Sequence, residues 1–398
     1  NDAPIDDAPR DYVAPEISVI QPPIQGAVIE FENIDLAFIN RQDTTLLSQT
    51  KGSLILSNGQ FVGETGRMNW KKESVLSPDI YADFSKYNFL VKDNKLSADN
   101  VMLHYPEKLE APVKGIIEYI GQQNEQKATT YPRFKSYQSD ISISNFGHGE
   151  LVYTGGVALR GSSIYSASAY GQYAVLEGSN EGNKRFKATS RLFNFQEADS
   201  MITARVGAVI IYQGNDSIYH SAVSFEYETD NSVLRLKSAK GGFKNTPYNS
   251  SYFNIDFNAD LIEWDIKTDS LDISVITARN EKPVVIESRD YYRTDMFDAL
   301  SGLHNFHPLI ILVNYSRKVG SVEFSLLDIV EETKIPEPLL RKTMMDLMQK
   351  GLIDFESEVG NITISRKGYH YYLSQRGRKD YDDMIIPSIT GSAPNATV

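Results

Sequence analysis

The chain has 398 residues, 41% hydrophobic and 23% charged, the balance of a folded protein with room for two or three domains. Its net charge is −12, from 52 acids against 40 bases. This argues against a whole-chain polyanion binder, because nucleic-acid affinity comes largely from neutralising phosphates. There is no cysteine, which excludes disulfide scaffolds, thiol catalysis and cysteine-rich zinc sites. No run of about 18 apolar residues exists to span a bilayer as a helix.

Residues 1–26 open with "NDAPIDDAPRDYVAPEISVIQPP", in which five prolines and five acids face a single base, Arg10. This composition predicts an extended linker. With the linker-like end "GSAPNATV", it gives the expectation of a piece of a longer protein.

Residues 27–290 alternate with period two, the pattern of half-buried strands. Ile34, Leu36 and Phe38 alternate, as do Leu151, Tyr153, Val157 and Leu159, then Val223, Phe225 and Tyr227, then Leu271, Ile273 and Val275. In "FNIDFNADL", Phe253, Ile255, Phe257, Ala259 and Leu261 are expected on one face. Asn254, Asp256, Asn258 and Asp260 are expected on a solvated outer one. A degenerate repeat runs through the region. "DTTLLSQTKGSLILSNG" from Asp43 and "DSIYHSAVSFEYETDNS" from Asp216 share Ser48 with Ser221 and Asn58 with Asn231. "SSIYSASAYGQY" from Ser162 and "TDSLDISV" are weaker echoes. A polar turn followed by an alternating strand cannot bury its apolar face alone, so stacked neighbours are expected. The expectation is a mainly β chain, either a β-solenoid or an elongated folded sheet, with sub-units at 27–130, 131–195 and 196–290; a β-sandwich of unrelated hairpins is the alternative.

From 291 to 375 the pattern changes. "PLIILVNYSRK" is helix-like, "SVEFS" fits one strand, and Leu326, Ile329 and Val330 have helical spacing. Pro338 suits a first helical turn. Leu340, Met344, Leu347 and Met348 make one apolar face, and Gly351 ends the helix. "LIDFESEVGNITISRKG" predicts a hairpin with its tip at Glu358–Asn361. Helix, strand, helix, helix, hairpin is the order of a winged-helix domain, which residues 304–374 resemble. Residues 376–398 are expected as a linker or a return to the β region.

The resemblance implies that the helix of Leu339 to Lys350 recognises a partner and that the hairpin near Gly360 is the wing. Arg341, Lys342, Met345, Gln349 and Lys350 are the candidate partner surface. Residues 304–374 hold eight Lys/Arg against nine Asp/Glu, and Asp354, Glu356 and Glu358 on the wing would repel phosphates. Protein contact is therefore expected over DNA.

Other chemistry is sparse. His304 and His307 are three apart, but no third ligand lies near in sequence. His104, His148, His220 and His370 are scattered. A Ca²⁺ row at Asn254 to Asp260 would need a facing row. No nucleophile elbow, Walker loop or dinucleotide fingerprint appears, and "GQFVGETG" lacks the following helix. No catalytic residue, cofactor or metal is expected.

Asp followed by Ser/Thr and a small or aliphatic residue occurs at Thr44, Ser200, Ser217 and Ser270, where about one or two such triplets are expected by chance. The triplet resembles the acceptor motif of a general O-glycosylation system of one group of Gram-negative bacteria. That resemblance implies modified exposed turns and a place outside the cytoplasm. The same pairs are also good turn residues.

"ELVYTGGVALRGSSIYSAS" and "FNADLIEWDIKTDSLDISV" resemble the repeats of periplasmic lipopolysaccharide-transport proteins of the OstA type. The whole arrangement resembles large bacterial envelope proteins built from such units, here with an inserted winged helix. This implies a non-enzymatic scaffold in the periplasm or at the outer membrane. Its expected partners are other envelope proteins or flanking segments of the same chain. The alternatives are a carrier or bridge for an amphipathic cargo such as lipid, and a DNA-binding regulator.

Overall fold

The computed structural model describes residues 17–40, 43–70, 79–93, 95–120, 132–144, 150–161, 163–167, 172–196, 200–238, 246–274, 284–302, 306–357, 359–388 and 395–397. Strands dominate them. In chain order the first are β1 (Val28–Asn40), β2 (Asp43–Ile55), β3 (Gln60–Asn69), β4 (Tyr81–Leu90), β5 (Lys95–His104), β6 (Val113–Ile120) and β7 (Arg133–Ser136). Then come β8 (Ile141–Ile143), β9 (Glu150–Arg160), β10 (Ser163–Ala167), β11 (Ala174–Asn180), β12 (Asn183–Ser190), β13 (Asn194–Gln196) and β14 (Met201–Gln213). Two compact units divide the chain, one holding Pro9–Gly178 with Thr189–Thr203, the other Ser179–Ala188 with Ala204–Val398. No break falls at residue 290.

In the first unit, β1 to β6 form an antiparallel meander, each strand paired with the next. β6 pairs with β7, and β7 and β8 pair with successive stretches of β9. Alternation explains the strands but not their shape. A line of irregularities crosses them. Register shifts lie between Phe31 and Leu36, between Ser48 and Gly52, and between Ala98 and Val101. Beside this line Asn33, Gln49, Lys86 and Asn100 take positive φ, between 51° and 57°. Bulges of this kind bend a strand sharply.

The bend turns the sheet back on itself. The Phe38 ring of β1 lies 5.0 Å from Phe89 of β4 and 6.0 Å from Tyr119 of β6. In a flat sheet, five strand spacings would hold β1 and β6 about 24 Å apart. The inside of the bend is filled by Tyr87, 1% exposed, whose hydroxyl donates to the Thr65 carbonyl at 3.1 Å. Burial pushes this phenol up to about 12. Gly63 makes the room: a Cβ there would lie 2.2 Å from the Tyr87 ring.

The second unit continues with β15 (Asp216–Glu228), β16 (Val233–Ser238), β17 (Tyr248–Ser250), β18 (Ile255–Phe257), β19 (Leu261–Asp265), β20 (Ser270–Ser274) and β21 (Val284–Ser288). β15 pairs with β16 through Val223–Glu228 and with β17 through Ile218 and Tyr219. From there two antiparallel branches run, β16–β19–β20 and β17–β18–β21. Where they part, the His220 ring is buried. Its Nε2 contacts the Thr246 carbonyl at 2.9 Å while Nδ1 accepts from the Ala222 N–H. Burial lowers its pKa to about 4.

Next comes an α/β module: α1 (Thr294–Ala299), α2 (Pro308–Val319), β22 (Glu323–Ser325), α3 (Leu326–Thr333), α4 (Glu337–Gln349), β23 (Ile353–Glu356), β24 (Asn361–Ile364) and α5 (Arg366–Gln375). Its three strands pair antiparallel in the order β22–β24–β23. Ser325 and Asp328 close a capping box on α3, a device worth about 1 kcal/mol. Leu312, Ile329, Leu340, Met344, Leu347, Phe355 and Ile362 share one core. The chain then rejoins the sheet through β25 (Ile385–Ser388) on β21 and β26 (Asn395–Thr397) on β20.

"FNIDFNADL" departs from its expected pattern. Strand covers Ile255–Phe257 and, at the start of β19, Leu261, with a break at 258–260. Phe253 sits in a turn, 64% exposed, and Asp256 is 3% exposed. Asp256 is buried because a lysine from the module reaches it, so its face is covered rather than solvated.

Replacing Gly63 by alanine drives a methyl group into the Tyr87 ring. The expected loss is about 1–3 kcal/mol of stability, read as a lower midpoint in chemical denaturation. An unchanged midpoint contradicts the packing described.

Candidate functional site

The bend leaves a space between the two arms of the first unit's sheet. Phe31, Leu36, Phe38, Ile39, Leu54, Phe61, Phe89, Val91 and Tyr119 line a cavity of about 400 Å³. Its volume lies within the range of small-ligand sites. Its aromatic wall is continuous. Phe61 stacks on Phe89 at 5.2 Å, Phe31 lies 6.3 Å from Phe61, and Tyr87 supports both Phe61 and Phe89 from behind. Such ring contacts each add about 0.5–1.5 kcal/mol beyond their area, so the wall is stiff. The lip is part apolar and part charged. Ile39 is 72% and Val91 56% exposed, and Lys92 and Asp93 are the charged residues of the lining. The turn carrying them is braced by the Val91 N–H donating to the Gly59 carbonyl at 2.9 Å. The arrangement offers apolar area and ring faces to a hydrocarbon chain, with polar groups at the rim.

A second cluster joins the α/β module to its sheet in the other unit. Lys367 of α5 is buried, its ammonium 3.0 Å from Asp256 and 2.7 Å from Glu287. Burial opposes the charge, but the two carboxylates outweigh it and hold the pKa above its ordinary value. Removing one partner of such a buried set costs about 3–5 kcal/mol. Nearby, Asp354 of β23 accepts from the Tyr219 hydroxyl of β15 at 3.3 Å. Burial pushes the Asp354 carboxyl up to about 6, and the charge of Glu356 adds to the shift. The buried His370 ring contacts the Asp290 carbonyl at 2.8 Å through Nε2, and burial lowers its pKa.

The residues of the expected partner surface do not act together. Lys342 and Lys350 are exposed. Arg341 is half-buried and engaged: it donates to the Ser357 carbonyl and to Glu337, the latter at 2.7 Å, and lies over the Phe355 ring. Met345 packs on the module's core and Gln349 is half-buried. The exposed row of α4 is Pro338, Lys342, Asp346 and Lys350, in which an acid interrupts the bases.

The glycosylation-like serines are not on exposed turns. Ser200, Ser217 and Ser270 are half-buried, and the last two lie within β15 and β20. Asp216 accepts from Ser251 at 2.8 Å and Asp269 from the Trp264 indole at 3.2 Å. The Thr44 side chain and His304 lie outside the described residues. His307 caps α2, its Nδ1 accepting from the Ile310 N–H at 3.3 Å while Nε2 meets the Phe297 carbonyl. Among the described residues no group of three or more His, Asp or Glu is placed to hold a metal ion.

Sequence reasoning missed the cavity. The apolar alternation of β1 was visible, but nothing local showed that Phe38 would meet Phe89 and Tyr119. No family model, curated protein or solved structure matches the chain.

The fold favours protonated Asp354, whose pKa rises from 3.8 unfolded to about 6 folded. Its contribution is therefore most favourable at about pH 4 and below, and is lost as pH rises through about 6. Asp354→Asn is expected to stabilise the protein at pH 7 by about 1–3 kcal/mol. The gain should vanish below about pH 4. Denaturation midpoints at pH 4, 5, 6 and 7 test it, and a loss of stability at pH 7 contradicts it.

Proposed function

We propose that this chain is a non-enzymatic scaffold of a bacterial cell envelope whose bent sheet holds the apolar part of an amphipathic ligand, a lipid chain foremost. The observation that carries this reading is the aromatic-lined space among Phe31, Phe38, Phe61, Phe89 and Tyr119. An apolar wall open at one edge, with charge at its rim, suits a molecule with one greasy and one wet end. Two branching antiparallel ladders in the second unit and a bent meander in the first fit stacked strand units of the OstA type. The half-buried serines weaken one support for an extracytoplasmic place. The resemblance of the strand units remains, and a cysteine-free composition agrees with it.

The α/β module reads best as a winged helix used for packing. The order of α2, β22, α3, α4, β23 and β24 supports that reading, as does the small sheet. Reading DNA would require free cations on α4 and a free wing. Arg341 is engaged within the module, and the wing strand β23 turns Asp354 onto Tyr219 of the sheet. A module fixed to the sheet through Lys367 serves as a spacer or a protein-contact face.

A fluorescent fatty acid titrated into the full chain tests the cavity. It should bind, and Phe38→Glu should weaken it by about tenfold or more, since one buried ring is worth about 1.5–3 kcal/mol. Phe38 is half-buried, so the variant should keep its fold by circular dichroism. No binding, or equal binding by the folded variant, removes the reading.

A further inference from the structure

The sheet's first strand has one edge without a partner strand among the described residues: β1 pairs with β2 alone. It is 13 residues long and contains no proline. Open edges are templates for another strand, and proteins usually blunt them. The second unit shows one such device. At the edge strand β25, the Met384 carbonyl accepts from the Ser288 N–H of β21, so the next alternate residues, Ile385 and Pro387, turn their backbone groups outward. Pro387 has no N–H to offer there. β1 has no proline; its edge carries register shifts between Phe31 and Leu36 and exposed acids.

What β1 carries instead is a pattern of charge. Phe31, Leu36 and Phe38 are half-buried and line the cavity, while Glu30, Glu32 and Asp35 are exposed. Beside these acids the sign alternates from strand to strand. Lys51 of β2 pairs with Glu64 of β3 at 3.1 Å. Glu64 lies between the Gly63–Tyr87 and Thr65–Ser85 pairs, as Lys86 of β4 does. Glu32 and Glu30 add to the field of Glu64 that holds the Lys51 ammonium above its ordinary pKa. The row therefore reads acid on β1, base on β2, acid on β3 and base on β4. Opposite charges on neighbouring strands stabilise a pair and like charges oppose it.

We propose that the free edge of β1 takes a strand from a partner protein in which apolar residues alternate with lysine or arginine. Its bases would continue the alternating row beside Glu30, Glu32 and Asp35, and its apolar residues would extend the wall beside Phe31, Leu36 and Phe38. Backbone hydrogen bonds supply affinity and the alternate side chains supply choice. A second copy of this chain fits poorly, because antiparallel β1 strands would set acids against acids. The inference does not depend on what fills the cavity.

Three labelled synthetic peptides test it by fluorescence anisotropy on the full chain. One alternates valine with lysine, one alternates valine with glutamate, and one scrambles the first. The valine–lysine strand should bind about tenfold or more tighter than the other two at low salt and lose that advantage at high salt. In Glu30→Lys/Glu32→Lys/Asp35→Lys the preference should pass to the glutamate peptide. Should that variant not fold, Glu32→Gln alone should still narrow the ratio. Equal binding of alternating and scrambled peptides overturns the proposal. So does a preference unchanged in the variants, or self-association of the chain that excludes the peptides. The fatty-acid titration, run on the same samples, reads the cavity separately.

Discussion

The bend across β1 to β6 is the constraint on which the rest of the first unit depends. An alternating strand has one greasy face, and a sheet of such strands must hide that face against something. Here it is hidden against the sheet itself. The turn is made by Asn33, Gln49, Lys86 and Asn100 at positive φ and by shifts in register beside them. Each such residue is disfavoured locally. The compensation is the core inside the bend, where Tyr87 fills the space over Gly63 and Phe61, Phe84 and Phe89 pack around it. At the β1 end no further ribbon closes the two arms among the described residues.

In the second unit, charge plays the comparable part. The module has a core of its own, and what joins it to the sheet is polar: Lys367 with Asp256 and Glu287, Asp354 with Tyr219, and His370 with the Asp290 carbonyl. Buried charges contribute little net stability, but a mismatched arrangement costs a great deal. Such contacts fix one orientation of the module on the sheet. Asp354 accepts from Tyr219, yet burial still favours its protonated form.

Much of this was legible in the residues. Period-two alternation marked the strands, the spacing of Leu326, Ile329 and Val330 marked α3, and Pro338 and Gly351 bounded α4. What could not be read locally was anything that depended on a distant partner. "FNIDFNADL" has a clear alternation, yet Asp256 is buried by Lys367, 111 positions along the chain. Arg341 looked free for a ligand, and Ser357 and Glu337 take it. The bend was hidden for a different reason. Asn33 and Asn100 are tolerant of positive φ, but Gln49 and Lys86 carry no such signal in their residue type.

The contact between Phe38 and Tyr119 tests the bend most directly, since these rings belong to the first and sixth strands of one meander. Nuclear Overhauser spectra of the chain labelled at phenylalanine and tyrosine should show cross-peaks from Phe38 to both Phe89 and Tyr119, rings at 5.0 and 6.0 Å. Assignment would come from loss of the peaks in Phe38→Leu. Absence of both cross-peaks in a folded sample would mean a flat sheet, with no cavity between its arms.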